Sequence, residues 1–98
     1  MIQIPAKVSF DPAKRDKVLA ERGLAFEDAA IAVAAVNFTV IDDRFHDSEL
    51  RYQTYGILRD RVVMIVWTPR EDVMHVISMR YCHDREARKI YIHLGRSR

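Results

Sequence analysis

The chain has one cysteine, Cys82, in 98 residues, so no disulfide can form within it. That scarcity fits a reducing compartment, and the cytoplasm is the expected location. Cys82 beside His83 is a weak nucleophile signature, because neighbours on a strand point apart and no third group orients them. Only three glycines occur, Gly23, Gly56 and Gly95. None builds a Gly-rich phosphate loop after a strand, which argues against a dinucleotide-binding unit. No apolar run approaches the roughly 18–20 residues of a membrane span, so no membrane partner is expected. The opening Met1-Ile2-Gln3-Ile4-Pro5 does not read as a secretory signal. Cysteine and histidine are not spaced as in a structural zinc site. Repeats, low-complexity stretches and linkers are missing too, and the length predicts one domain over 1–98.

Neither sign of charge dominates: 16 Lys and Arg face 14 Asp and Glu, for a net +2. The distribution is more telling. From Arg80 to the end there are six basic residues (Arg80, Arg85, Arg88, Lys89, Arg96 and Arg98) against Asp84 and Glu86, which leaves the rest of the chain at −2. A positive C-terminal end suits a phosphate backbone or an acidic partner. It reads equally well as a solvated helix face with a basic tail. A chain this short cannot bury many unpaired charges, so its polar signatures are expected at the surface.

The expected elements follow from apolar spacing and breakers. Ile2 to Phe10 alternates but is interrupted by Pro5, and reads as a short or bulged edge strand. Asp11-Pro12 starts a helix, with Asp11 as cap and Pro12 in the first turn, and Gly23 ends it. A second helix is predicted from Phe26 to Val36, with an almost wholly apolar run from Ala29. Strands are predicted over 37–41, 50–58, 62–67 and 73–79. Turns are expected at Arg59-Asp60-Arg61 and Thr68 to Asp72, and a polar loop at Asp42 to Ser48. The run from Val62 to Trp67 suits a central strand covered on both faces. A last helix runs from near His83 or Asp84 to Leu94; histidine caps poorly, so Asp84 is the better cap. Strand, two helices, four strands and a helix predict an α+β fold: a small antiparallel sheet with two N-terminal helices and one C-terminal helix.

Several side chains carry candidate chemistry. Arg51, Arg70 and Arg80 lie on or beside strands expected to be neighbours, and converging they would form a phosphate-sized pocket. His46, in the polar loop, titrates near neutrality and suits proton transfer; His75 and His83 are less distinctive. Glu49 is two residues from Arg51, so the two share a strand face and either pair or act. Asp11 and Lys14 build the helix start or contribute to binding. Tyr52, Tyr81 and Tyr91 are suited to stacking on bases, or to half-buried packing. Asp42, Asp43, His46 and Asp47 lack a liganding pattern specific to any cation, so no metal site and no cofactor are expected. No helix-turn-helix pair is apparent, which argues against a DNA-binding regulator.

The polar signatures, in their order and spacing, resemble the BrnT family, the ribonuclease toxins of bacterial type II toxin–antitoxin pairs. The resemblance runs from Phe10 to Tyr91. It is carried by Phe10-Asp11-Pro12 with Lys14, by Gly23 with Phe26-Glu27 and Ala29, and by Asp43-Arg44 with His46. Glu49, Arg51, Tyr52 and Gly56 continue it, and Ile77-Ser78 with Arg80, Glu86 and Tyr91 complete it. The chain departs from the pattern at Glu21-Arg22, where the family usually has Lys-His, and at Ala25, where a Ser is common. It departs again at His75, in place of a common Arg, and at His83, in place of a Thr.

The resemblance implies a RelE-like fold and a metal-independent endoribonuclease acting on RNA. It also implies a BrnA-like antitoxin as partner, with no direct DNA contact by this chain. RNA supplies its own nucleophile, the 2′-hydroxyl. The site then needs Arg51, Arg70 and Arg80 to stabilise charge on the phosphate, and His46 or Glu49 as base. Tyr52 would orient the nucleotide, with Lys14, Arg85 and Arg88 as further substrate-binding candidates. The alternative is a catalytically weakened module of the same fold that binds RNA or a partner, which the four departures motivate.

Overall fold

The computed structural model describes residues 3–44 and 49–95. Strand β1, Lys7–Phe10, leads into helix α1, Pro12–Arg22. The carboxylate of Asp11 accepts the Ala13 N–H at 2.9 Å, and Pro12 occupies the first turn, where a missing N–H costs nothing. Gly23, at φ 70°, closes the helix by donating its N–H to the Leu19 carbonyl. After a 3₁₀ turn, Phe26–Asp28, comes α2, Ala29–Val33. Strands β2 (Phe38–Ile41), β3 (Tyr52–Leu58), β4 (Arg61–Arg70) and β5 (Val73–Tyr81) follow, then α3, Asp84–His93.

The expected second helix over Phe26–Val36 is thus a 3₁₀ turn and five helical residues. Two local reasons account for the difference. Ala25 offers no side-chain acceptor at the start. At the other end the Asn37 amide donates to the Val33 and Ala35 carbonyls, at 3.1 and 3.4 Å, and diverts them from helix continuation. His83, not Asp84, caps α3: its Nδ1 accepts the Glu86 N–H at 3.4 Å. The last strand turn is shorter than expected as well. β4 continues through Pro69 to Arg70, and only Glu71 and Asp72 turn. The ladder with β3 ends at Trp67, so Pro69 removes no bond on that side.

The sheet has five strands in the order β1-β5-β4-β3-β2. The β2–β3–β4–β5 meander is antiparallel, but β1 pairs with β5 in parallel. The sheet is therefore mixed and larger than the small antiparallel one expected. The long excursion through α1, α2 and the meander brings β5 alongside the edge strand β1, running in the same direction.

Each sheet face has its own core. On one, Val63, Ile65, Trp67, Met74, Val76 and Met79 pack with Leu24, Phe26, Ala29 and Ala32. A Cβ at Gly56 would overlap the Ala32 carbonyl, so glycine lets α2 lie directly on β3. On the other face Val62, Met64 and Val66 meet Ile90, Tyr91 and Leu94 of α3. As expected for a central strand, β4 is buried from Val62 to Thr68. Val66 pairs with Ser78 but Trp67 with Val76, so β5 bulges at Ile77.

Candidate functional site

Helix α3 covers only one end of its face. Past Val66 the same face turns polar. Thr68 of β4 pairs with His75 of β5, which pairs with Ser9 of β1. On the other flank Arg51 precedes Tyr52, the partner of Trp67, and therefore lies beside Thr68. The Asp42 N–H donates to the Arg51 carbonyl at 2.9 Å and extends the row to the end of β2. The bulge at Ile77 shapes this row. Without it His75 would fall on the opposite face from Ser78 and Arg80; with it all three share one.

The predicted arginines occupy this face together but do not meet at one point. Arg70 is opposite Val73 and Arg80 opposite Met64, six residues apart along β4, or about 20 Å at strand rise. The expected single pocket is a strip, with Arg51 in its middle. Arg80, at the α3 end, donates to both Glu86 oxygens, at 2.8 and 2.9 Å. That fork holds Glu86 ionised, with its carboxyl lowered to about 2, and raises the already high pKa of Arg80. Arg70 Nη2 is 3.5 Å from Glu49 Oε1, a half-exposed pair at 53% and 42% exposure.

Behind Arg51, the buried carboxylate of Asp42 takes the Arg44 guanidinium at 2.8 Å on each oxygen. Hydrogen bonds from Arg44 hold the Asp42 carboxyl below its usual range against the effect of burial. The Tyr55 hydroxyl donates to Gln53 Oε1 at 3.3 Å, and burial raises its pKa, keeping it protonated. Thr68 donates its hydroxyl to the Leu50 carbonyl at 2.6 Å, pinning the segment that carries Glu49 and Arg51.

His75 sits at the centre of the strip, its Nδ1 2.8 Å from Ser9 Oγ. Burial lowers its pKa first and Arg70 second, with Lys14 adding to the effect, so the imidazole is neutral at pH 7. Strict strand alternation would put His75 on the opposite face, and the bulge reverses it. The signal in the sequence is a histidine between Met74 and Val76, in the apolar first half of the strand.

Other candidates lie elsewhere. Tyr52 is on the opposite face, packed on Trp67 with ring centroids 4.9 Å apart, so the sheet separates it from the arginines. That placement follows from strand alternation, since Arg51 next to it faces the strip. Tyr81 lies under the Arg61 guanidinium at 3.8 Å, and Tyr91 is buried against β4; both are packing residues. Lys14 is exposed in the first turn of α1, close enough to His75 to influence it. Arg85 is exposed on α3, and Arg88 lines a cleft of about 540 Å³ with Arg61 and Cys82, at the end of β4 far from Arg70. Burial pushes the Cys82 thiol up to about 12, so it is a protonated core residue at neutral pH. His46 falls outside the described residues.

Helices α1 and α2 over one face, and on the other, past α3, an open strip of guanidinium, hydroxyl and imidazole groups, define a small α+β protein chemically suited to a phosphodiester chain. The sequence itself gives the family. Residues 10–86 match the model described as "Ribonuclease toxin, BrnT, of type II toxin-antitoxin system", and the chain belongs to that family. No curated protein matches the chain. Family membership carries the general activity, a ribonuclease, and the general partner, an antitoxin.

Proposed function

We propose that this protein is a cytoplasmic, metal-independent endoribonuclease of RelE-like architecture, formed by residues 1–98 as one domain and neutralised by a BrnA-like antitoxin. The observation that carries the reading is the shared sheet face of Arg51, Arg70 and Arg80. A strip about 20 Å long suits several successive phosphates better than one small anion. A strand lying along it need not be threaded from an end, which fits internal cutting.

The chemistry needs little from the protein. The ribose 2′-oxygen attacks its neighbouring phosphorus, and negative charge grows on the phosphoryl oxygens. Preset guanidinium donors stabilise that charge more than they stabilise the ground state. Arg51 lies in the middle of the strip and Arg70 at one end, and Lys14 adds a cation at its β1 edge. Glu86 fixes the Arg80 fork at the other end. Arg85 and Arg88 would hold RNA that runs on past α3.

A second reading has specific support. Arg80 and Arg70 are each already paired with a carboxylate. Such pairing weakens a phosphate clamp and suits a module that binds RNA or a partner without cutting.

One experiment separates the two. The protein, freed of antitoxin, is incubated with single-stranded RNA in EDTA. Nuclease action gives fragments ending in 2′,3′-cyclic phosphate, and Arg80→Ala at equal folded concentration slows their formation by roughly 100-fold. Intact RNA that nonetheless shifts in a binding assay supports the second reading and overturns the first.

A further inference from the structure

We infer that His75, held by Ser9, is the catalytic base that takes the 2′-hydroxyl proton. The inference rests on the ribonuclease reading above and names the residue within it that moves the proton. Three independent observations support it.

The first is position. His75 is in the middle of the strip, between Ser9 on β1 and Thr68 on β4. Arg70 lies one cross-strand pair beyond Thr68 on the same face. A phosphate drawn to Arg70 and Arg51 thus brings its ribose to the imidazole.

The second is orientation. The Ser9 Oγ···Nδ1 contact of 2.8 Å fixes the ring. The contact leaves Nε2 as the ring nitrogen open to substrate, and in the tautomer whose Nδ1–H donates to Ser9 it carries the lone pair a base requires.

The third is the charge around the ring. Arg70 and Lys14 disfavour its protonation, Glu49 and Asp11 favour it, and burial tips the balance toward the neutral form. The group is therefore ready to accept a proton at neutral pH.

Four other described groups that could act as bases are engaged by neighbours. Glu49 is paired with Arg70, and Glu86 is locked by Arg80. His83 caps α3, and the His93 ring stacks on Phe38 at 4.4 Å.

The step balances without a co-reactant. Nε2 takes the 2′-hydroxyl proton as the 2′-oxygen bonds to phosphorus. The P–O5′ bond breaks, and the leaving 5′-oxygen takes a proton from water. The imidazolium then returns its proton to solvent, leaving a 2′,3′-cyclic phosphate and a 5′-hydroxyl.

The test uses the full chain and a single-stranded RNA oligonucleotide in EDTA. His75→Asn keeps a donor toward Ser9 but has no basic Nε2. It is expected to cut roughly 100-fold more slowly while binding a 2′-deoxy oligonucleotide as the wild type does. His75→Ala is expected to regain activity with added imidazole. Wild-type rate should rise through a midpoint below pH 6.5 and then level off, a limb that His75→Asn lacks. Ser9→Ala should lower the rate less than His75→Asn and leave binding unchanged.

If the wild type cuts and folded His75→Asn cuts equally well, His75 is not the base, although the ribonuclease reading stands. The base assignment fails in the same way if imidazole does not rescue a folded, RNA-binding His75→Ala. If the wild type leaves RNA whole, the ribonuclease reading falls and this inference with it.

Discussion

The Arg80 guanidinium meets Glu86 through two short parallel bonds, and this pair joins β5 to the first turn of α3. The carboxylate also sits near the positive end of that helix. Both effects favour its ionised form, and both are lost when the charge is removed. Glu86→Gln keeps the shape but not the charge. It is expected to lower stability by about 1–2 kcal/mol, read as a lower denaturation midpoint in urea. The same change leaves Arg80 without an anion, so RNA affinity at low salt should rise severalfold. An affinity that stays level would show that Arg80 does not touch the RNA backbone. Gly56 is a second single-residue constraint, set by packing alone. Gly56→Ala drives a methyl into the Ala32 carbonyl and should cost about 1–3 kcal/mol as α2 lifts from β3, measurable in the same denaturation experiment.

Among the elements, the β3–β4 hairpin concentrates the backbone strain, with Glu71 (φ 55°) of the β4–β5 turn the other described non-glycine residue at positive φ. Arg59 and Asp60 both have positive φ, 49° and 64°, in a two-residue turn between paired Leu58 and Arg61. Asn-Gly suits that geometry far better than Arg-Asp. The Arg59–Asp28 pair is long, at 3.4 Å, with the arginine more than half exposed, so its loss costs little. Arg59→Asn with Asp60→Gly should therefore stabilise the protein by about 0.5–1 kcal/mol, seen as a higher melting temperature. A lower one would mean that the side-chain contacts of Arg59 and Asp60 outweigh the strain.

The same elements show what a sequence can and cannot reveal. Asp11-Pro12 and Gly23 announce α1 because caps are local, and the apolar run from Val62 announces β4 because burial on both faces leaves no alternation. The shortness of α2 was harder to foresee, since it depends on where one amide, that of Asn37, places its two hydrogen bonds. Parallel pairing of β1 with β5 joins residues more than sixty positions apart, beyond the reach of local pattern. For the site, strand alternation puts Arg51 and Tyr52 on opposite faces, against the expectation that Tyr52 orients a nucleotide beside the arginines. Alternation could not place His75 with Ser78 and Arg80, because one bulged residue, Ile77, inverts the rest of the strand.

At the scale of the whole molecule, the held protonation states set the response to acid. Arg80 holds Glu86 at about 2, against an ordinary value of 4.5, and Arg44 and Arg15 lower Asp42 and Glu27 in the same way. His75 is lowered too, chiefly by burial, from an ordinary 6.5. In each case the folded state resists a proton that the unfolded chain accepts. Each contribution is therefore complete above the group's ordinary pKa and disappears as pH falls through its folded value. Two windows result. Stability should be level near pH 7 and begin to fall below 6.5 as the unfolded His75 takes its proton. It should then fall again between 4.5 and about 2 as the carboxylates lose their guanidinium partners. Urea denaturation across this range checks both steps. His75→Asn should abolish the part of the upper step due to position 75 and leave the lower one. Glu86→Gln should shrink the lower and leave the upper. If His75→Asn leaves the upper step whole, the imidazole is not held neutral by the fold, and the strip does not offer a ready base at neutral pH.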